Sequence, residues 1–309
     1  MHPFTPSHRA SVAALGEQRL IVAIRRWLGR VSPRPPFGIG DDCAVLRASR
    51  GPQLVTVDPV IFGRHFDASV PPRAVGEKLL KRNLSDIAAM GGRPTAAVLS
   101  LTLDARVRLA WLEQFYRGLA ACARRYRVEI VGGDIAQATG ALTASLTLLG
   151  ETAGGRAVTR QGARIGDWIL VTGVLGRSVA SGHHYRFTPR LAEGRWLARQ
   201  PGVRAMMDVS DGLAKDLRAL TPPAAAPALT AASLPRRAGA DVRAALTEGE
   251  DYELVFALSR HVDPAAFARL WKRKFPRTRL TCIGRFVRLE TLPADVLDLS
   301  AYHGYEHLR

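Results

Sequence analysis

Cysteine, aromatic residues and acidic residues are all scarce in this 309-residue sequence. The three cysteines, Cys43, Cys122 and Cys282, follow no metal-binding spacing, and their odd number argues for reduced thiols in a cytosol. Aromatic residues make up 7% of the chain, which gives little support to a nucleic-acid surface built from stacked rings. The 44 Lys and Arg outnumber the 27 Asp and Glu, but they are scattered, and such an excess attracts polyanions in general.

Long apolar runs and the common nucleotide-binding motifs are also missing. No run is long enough to span a bilayer, and the first residues lack the features of a secretory signal. The sequence contains neither G-x-x-x-x-G-K-[ST] nor a full G-x-G-x-x-G. We therefore expect a cytoplasmic protein that binds neither membrane nor nucleic acid and that handles any nucleotide by another route.

The hydrophobic pattern favours two α/β domains with mixed layers, because predicted strands and helices alternate in both halves. Helices are predicted at 9–29, 73–90, 107–126, 191–199, 211–220 and 264–274, and strands at 53–57, 96–103, 128–131, 141–150, 168–173, 252–258 and 278–284. The segment 151–167 is rich in Gly and Arg and is the predicted boundary between domains 1–150 and 151–309. Loops are predicted at 182–190 and 221–233.

The few acidic residues are grouped in short islands, and most of these are predicted to follow strands. The islands are Asp41 with Asp42, Asp58, Asp86, Asp134, Asp208 with Asp211 and Asp216, and Glu250 with Asp251 and Glu253. Taken singly, an Asp beside Gly commonly supports a turn or caps a helix. In that interpretation Ser210 or Asp211 caps the following helix, and Asp216 lies on its solvated face.

Taken together, the islands indicate a cation site. Two carboxylates about 4 Å apart repel each other by roughly 4 kcal/mol at an effective dielectric constant near 20, so converging islands need cations. Oxygen ligands without His or Cys spacing select hard ions, and Mg²⁺ binds through a few carboxylates and substrate phosphates. Glycines in "GIGDD" and "VGGD" let the backbone approach a phosphate. These features predict a site for several Mg²⁺ ions and a polyphosphate.

An ordered set of motifs resembles the thiamine-monophosphate kinase family. The set is "GIGDDCAVL", "NLSDIAAMGGRP", "VGGD", "RAVTRQGARIGDWILVTG", "AMMDVSDGL", "GEDYELVF" and "GYEHL", and it runs from about Gly16 to the C-terminus. The resemblance implies a kinase that transfers the γ-phosphoryl group of ATP to thiamine monophosphate with the help of Mg²⁺. It also implies the aminoimidazole ribonucleotide synthetase-like architecture. There, an N-terminal domain binds ATP and Mg²⁺ and joins its sheet to a partner's in a homodimer, while a C-terminal α/β domain completes the cleft.

The resemblance also assigns roles to individual residues. Its implied magnesium ligands are Asp42, Thr56, Asp58, Asp86, Asp134, Asp208 and Asp211. ATP contacts fall on Gly133, Asp134, Arg160 and Ser210, substrate contacts on His65, Glu250 and Tyr305, and catalysis on Asp86, Asp134, Arg160 and Asp208. Tyr305 could attract a thiazolium ring through a cation–π contact. A core role for His65 and a packing role for Tyr305 are the alternatives.

Several positions depart from the family pattern, chiefly near the predicted phosphate and substrate loops. Val57 replaces a threonine, Phe62 an acidic residue and Glu248 a glycine, while Ile135, Ala136 and Gln137 stand where two threonines and an arginine are usual. The segment between Gly176 and residue 188 is also short. Two alternative functions therefore stay open. The chain could be a related enzyme that uses a different phosphate-bearing acceptor, or a silent paralogue that binds nucleotide or thiamine phosphates without turnover.

Overall fold

The computed structural model describes residues 1–40, 43–49, 51–152 and 155–306. Contacts between Cα atoms divide the chain into two compact units. The first comprises Met1–Ile87 and Pro94–Glu151, and the second comprises Ala88–Arg93 and the chain from Thr152 onward. Among the described residues no helix is both long and apolar enough for a membrane span. The mixed α/β class predicted from the hydrophobic pattern is confirmed.

The first unit is built on a four-stranded sheet and three helices. The helices are α1 (Glu17–Leu28), α2 (Pro72–Ala89) and α3 (Leu109–Tyr126), and the strands are β1 (Gln53–Ile61), β2 (Gly92–Leu103), β3 (Glu129–Gln137) and β4 (Leu142–Thr152). The strand order is β1-β4-β2-β3, with β1 antiparallel to β4 and β2 parallel to β3. Along β4 buried residues alternate with half-buried ones, as a strand with one face on the core requires.

Helices α2 and α3 touch through glycines. A Cβ atom added to Gly76 would lie 2.0 Å from the carbonyl oxygen of Phe115, and one added to Gly118 would lie 2.0 Å from that of Arg73. Only hydrogen side chains allow the two backbones to approach this closely. This close contact fixes the position of α2 and therefore the position of the polar face of α2.

The second unit contains a five-stranded sheet. Its strands are β5 (Trp168–Thr172), β6 (Val203–Val209), β7 (Ala225–Leu229), β8 (Glu253–Leu258) and β9 (Leu280–Arg288), in the order β6-β8-β5-β9-β7, and each neighbouring pair is antiparallel. Its helices are α4 (His183–Arg186), α5 (Leu191–Ala198), α6 (Leu213–Leu220), α7 (Val242–Thr247) and α8 (Pro264–Lys274). Strands β5, β6 and β8 are almost wholly buried.

Several features differ from the expectation from sequence. Helix α1 begins at Glu17 rather than at residue 9, because Gly16 takes a left-handed backbone (φ 71°) and the residues before it form short 3₁₀ turns. Residues 203–209 form a strand that apolar alternation does not reveal, since both of its faces are buried. The predicted loop 221–233 contains the edge strand β7, where Pro227 is tolerated. The predicted loop 182–190 contains α4.

Candidate active site

Strand β1 and helix α2 bring three of the predicted magnesium ligands together in the first unit. Thr56 and Asp58 are two residues apart on β1, so both side chains point to the same face of the sheet. The hydroxyl group of Thr56 donates a hydrogen bond to the carboxylate of Asp86 on α2. A carboxylate and a hydroxyl oxygen therefore adjoin each other, which is the oxygen-only donor chemistry that suits a hard cation.

Arg82 adds a positive charge to this acidic group. Its Nη2 atom lies 3.0 Å from Oδ1 of Asp58, and its Nη1 atom donates to the carbonyl oxygen of Pro59 at 2.6 Å. Arg82 precedes Asp86 by four residues, so the two side chains share one face of α2. Sequence analysis missed this residue. The spacing "RNLSD" places a cation one turn before the acid, which was the available signal.

The sheet order separates two of the predicted ligands within the first unit. Asp58 lies on β1 and Asp134 on β3, which are opposite edges of the sheet, and two strands stand between them. At about 4.8 Å per strand the lateral separation is about 14 Å. Both residues also lie inside strands rather than at strand ends as predicted, because β1 continues to Ile61 and β3 to Gln137.

A cavity of about 590 Å³ opens beside Gly133 and Asp134 in the first unit. Ile24 and Leu28 of α1 and Tyr116 of α3 line its apolar part, and Glu17 adds a carboxylate. A pocket of this size that combines apolar side chains with polar groups is typical of small-molecule sites. Ile135 also lines the cavity, so one of the positions that departs from the family pattern contacts the same space.

His65 is held in a tight loop after β1. The backbone N–H of Ile61 donates to Nδ1 of its imidazole at 3.1 Å, which leaves Nε2 as the nitrogen that carries the proton in the neutral ring. The fully buried Lys78 donates from Nζ to the His65 carbonyl oxygen at 2.7 Å. The ring is half-buried, so the interpretation of His65 as a core histidine does not describe its position.

In the second unit three carboxylates gather around the turn after β6. Asp208 is 2% exposed, and Asp216 accepts hydrogen bonds from the backbone N–H groups of Ser210 (3.0 Å) and Asp211 (3.1 Å). Burial, together with the nearby charges of Asp208 and Asp211, raises the pKa of Asp216 to about 8. The prediction that Asp216 lies on a solvated helix face is wrong, since it is 4% exposed.

The predicted substrate residues of the second unit lie beside the same turn. The N–H of Glu250 donates to the Ser210 carbonyl oxygen, and the N–H of Tyr305 donates to that of Asp211, both at 2.8 Å. Neither Ser210 nor Asp211 caps α6, whose N-cap position is Gly212. The structure therefore places Ser210, Asp211, Glu250 and Tyr305 beside one another.

The backbone around Glu250 is unusual. Glu250 (φ 53°) and Tyr252 (φ 52°) both adopt left-handed conformations, which are uncommon for residues other than glycine. Such conformations cost free energy and cluster at functional sites. The carboxylate of Glu248, at a position where the family has glycine, accepts a hydrogen bond from the backbone N–H of Arg177.

The other two acids of this island have structural partners. The Asp251 carboxylate accepts from the Ser178 hydroxyl at 2.5 Å, and burial raises its pKa to about 6. The Arg190 guanidinium donates twice to Glu253, at 2.7 and 2.6 Å. Asp251 and Glu253 therefore hold neighbouring segments in place, and Glu250 is the member of the island that stays half-buried.

Two further predicted residues complete the set. Arg160 is exposed, and its neighbour Thr159 accepts a hydrogen bond from the N–H of Met206 at 3.0 Å, which places this segment along β6. Asp42 lies outside the described residues.

Within residues 1–40, 43–49, 51–152 and 155–306, no three His, Cys, Asp or Glu side chains are close enough to hold a metal ion by themselves. The donor set fits Mg²⁺ bound through one or two carboxylates and substrate phosphates.

The chain is similar to known proteins both in sequence and in structure. Residues 40–152 match the family of AIR synthase related proteins, N-terminal domain. The thiamine-monophosphate kinase of Synechococcus elongatus is 36% identical over 280 residues, which cover 81% of this chain and 84% of that protein. The crystal structure of the thiamine-monophosphate kinase from Stenotrophomonas maltophilia is 33% identical, with a TM-score of 0.72 over 87% of this chain and 93% of that chain. The structure of AaThiL complexed with AMPPCP and TMP is 29% identical, with a TM-score of 0.71 over 96% and 98% of the two chains.

Proposed function

The chain belongs to the thiamine-monophosphate kinase family, and from that premise we propose that it transfers the γ-phosphoryl group of ATP to thiamine monophosphate. The products are thiamine diphosphate and ADP. The observation that carries this proposal is 36% identity to a thiamine-monophosphate kinase over 81% of the chain. A structural relative complexed with AMPPCP and TMP, an ATP analogue and the acceptor, supports it further.

The reaction requires little acid–base catalysis by the protein. An oxygen of the acceptor phosphate forms a bond to the γ-phosphorus, and the bond from that phosphorus to the β,γ-bridging oxygen breaks, so ADP leaves with the electron pair. The acceptor oxygen is largely ionised at neutral pH, so no strong base is needed. Positioning and charge neutralisation then carry the catalysis.

We propose that the nucleotide enters the cavity beside Gly133. Its volume and its apolar side chains suit a base, and Gly133 lets the backbone approach the phosphates at the end marked by Asp134. Arg160 and Ser210 would contact the phosphates, as the family pattern implies. The exposed position of Arg160 leaves its guanidinium able to make a bidentate contact with phosphate oxygens.

Magnesium would be held by the acidic groups of the site. Thr56, Asp58 and Asp86 form one group, Asp208 and Asp211 form another, and Asp134 lies at the cavity. Asp42 joins them by its place in the family motif. When bound, Mg²⁺ supplies positive charge that offsets the negative charge of the phosphates during transfer. Because each group has few carboxylates, substrate phosphates would complete the coordination.

We propose that the acceptor is recognised by His65, Glu250 and Tyr305. His65 can donate from Nε2 to the phosphate monoester, because its Nδ1 is already occupied by the Ile61 N–H. Glu250 can bind an amino-bearing heterocycle, and the Tyr305 ring can attract the thiazolium cation. The hydrogen bonds of Glu250 and Tyr305 to the 210–211 turn support a shared subsite.

We also propose that the protein is a cytoplasmic homodimer in which the sheets of the first units join. Val55 (69% exposed) and Val57 (62%) on β1 and Val98 (39%) on β2 are exposed apolar side chains of this sheet. Such a surface on a sheet is typical of an interface. A reducing compartment suits the three cysteines, all of which are free thiols.

The proposal is tested by incubating the purified protein with ATP, Mg²⁺ and thiamine monophosphate and separating the products by chromatography. We expect thiamine diphosphate and ADP in equal amounts, and neither without Mg²⁺. ATP consumption with a different phosphate-bearing acceptor but not with thiamine monophosphate would assign the chain to another reaction. Binding of ATP without any product would identify a silent paralogue.

A further inference from the structure

The N-terminal residues form a strap that lies against the connection between β2 and α3. The N–H of Thr5 donates to the Arg106 carbonyl oxygen at 2.9 Å, and the N–H of Arg108 donates to that of Pro3 at 2.6 Å. Phe4 and Val107 are paired as in an antiparallel bridge. This strap, residues 1–5, precedes the part of the chain that carries the family motifs, which begins near Gly16.

The strap presents two rings to the loop that carries His65. The ring of Phe4 meets that of Phe62 edge to face, with centroids 5.5 Å apart, and the ring of His2 meets Phe62 at 6.2 Å. The ring centroid of Phe62 also lies 5.6 Å from that of Phe66, and the Phe66 ring stacks on Trp111. Aromatic pairs at these distances and angles are favourable. The ring of Phe62, at a position where the family has an acidic residue, is therefore the link between strap and loop.

The loop itself, residues 61–66, is closed by short-range hydrogen bonds. The N–H of Gly63 donates to the Phe66 carbonyl oxygen at 2.8 Å, and the N–H of His65 donates to that of Ile61 at 2.9 Å. On its inner side Lys78 holds the His65 carbonyl oxygen. The strap covers the opposite end of the loop through Phe62. Two independent sets of contacts thus limit how far the imidazole can move.

We propose that the strap is a positioning element for the acceptor loop and that Phe4 is its key residue. This inference rests on the proposed function, in which His65 contacts the phosphate of the acceptor. Phe4 does not touch the substrate; it acts by keeping Phe62 in place, and Phe62 keeps His65 in its orientation. Loss of the Phe4 ring frees the loop, so the acceptor must order it on binding and is held more weakly.

The test compares Phe4→Ala with the wild-type full chain. We expect the KM for thiamine monophosphate to rise about tenfold, as loss of one aromatic pair and its ordering effect would give. We expect kcat to change less than twofold and the KM for ATP to stay the same. Phe4→Tyr keeps the ring and should restore the wild-type KM. A general loss of stability would not raise one KM alone.

Phe275→Ala is the matched control. Phe275 is also half-buried and packs against two rings, Trp196 and Trp271, but it lies in the second unit. Its removal should lower the melting temperature without raising the KM for thiamine monophosphate. If Phe4→Ala fails to fold, Arg108→Met releases the strap differently, since the Arg108 guanidinium donates to the carbonyl oxygens of His2 and Phe4.

Amide hydrogen exchange of residues 61–66, measured without substrate, separates this inference from the proposed function. We expect faster exchange in Phe4→Ala and Arg108→Met but not in Phe275→Ala. Faster exchange with an unchanged KM for the acceptor would overturn the positioning role, and so would unchanged exchange. If the wild-type protein makes no thiamine diphosphate, the proposed function fails, while the exchange rates still report on the strap.

Discussion

Asp58 and Asp216 differ in how the structure compensates their charges. Asp58 has the Arg82 guanidinium beside it, whereas Asp216 lies against two other carboxylates and two backbone N–H groups. The first arrangement offsets the negative charge of Asp58, and the second raises the pKa of Asp216 to about 8. At neutral pH Asp216 is therefore mostly protonated and is a poor ligand for a cation.

Asp86 provides the sharpest test at this scale. Replacement Asp86→Asn removes one negative charge and keeps the shape, so we expect thiamine diphosphate formation to fall by about 10²–10³-fold with little change in melting temperature. Steady-state kinetics and a thermal melt measure the two effects. Glu113→Gln on α3, whose ion pair with Arg117 is exposed, is the control and should keep full activity. Retained activity in Asp86→Asn would remove Asp86 from the site.

Asp104 predicts a pH dependence of stability. Hydrogen bonds from Arg106, and one from the Gly140 N–H, hold the pKa of this carboxyl below its usual range. A lowered pKa means that the unfolded chain binds more protons, so the stabilisation is present above about pH 4 and is lost as the pH falls. Urea denaturation should show Asp104→Asn less stable than wild type at pH 7, with a smaller difference at pH 3. An equal difference at both pH values would contradict this account.

Among elements, the contact between α2 and α3 positions the face of α2 that carries the predicted ligand Asp86. Gly76 and Gly118 let the two helix backbones touch, and the opposite side of α2 carries Lys78, Arg82 and Asp86 toward β1 and its loop. These three residues are spaced by four, so they form one stripe along the helix. A shift of α2 away from α3 would move all three contacts at once.

Substitution Gly76→Ala tests this helix contact. Alanine favours a helix more than glycine does, but its Cβ would overlap the Phe115 carbonyl oxygen. We expect a loss of about 1–3 kcal/mol in the free energy of unfolding, measured in urea. Arg124→Ala, at an exposed position on α3, should change it by less than about 0.5 kcal/mol. A stabilised Gly76→Ala variant would show that the helices separate at little cost.

At the scale of the whole molecule, charge and surface pattern serve different purposes. The formal net charge of +17 attracts polyanions over a distance, whereas the acidic groups are the predicted places of metal and substrate binding. The exposed valines Val55, Val57 and Val98 belong to neither function. Exposed apolar side chains on a sheet are the observation behind the proposed homodimer.

The homodimer is tested by Val57→Lys, which places a charge among these exposed valines. We expect size-exclusion chromatography with light scattering to give about twice the 33.6 kDa chain mass for wild type and the single mass for the variant. Val179→Lys, at an equally exposed position in the second unit, should leave the wild-type mass unchanged. A monomeric wild-type protein would refute the dimer.

The sequence by itself determined the family, the fold class and most of the elements. Helices at 73–90, 107–126 and 264–274 agree with α2, α3 and α8 to within two residues, because their apolar periodicity and end signals are local. The alternation of buried and half-buried residues along β4 could be predicted for the same reason. The motif set led to the thiamine-monophosphate kinase family, which the relatives confirm. The roles of the individual site residues stay predictions.

Only the tertiary structure decided which of these residues meet. Strand order places Asp58 and Asp134 on opposite edges of one sheet, and folding buries the charged residue Asp216. The ion pair of Arg82 with Asp58 spans 24 residues, and the strap that braces Phe62 through Phe4 spans 58. Local periodicity reports which face of an element is apolar, but it does not report which other element covers that face. Such pairings depend on packing the whole unit, and that information is absent from any short window of sequence.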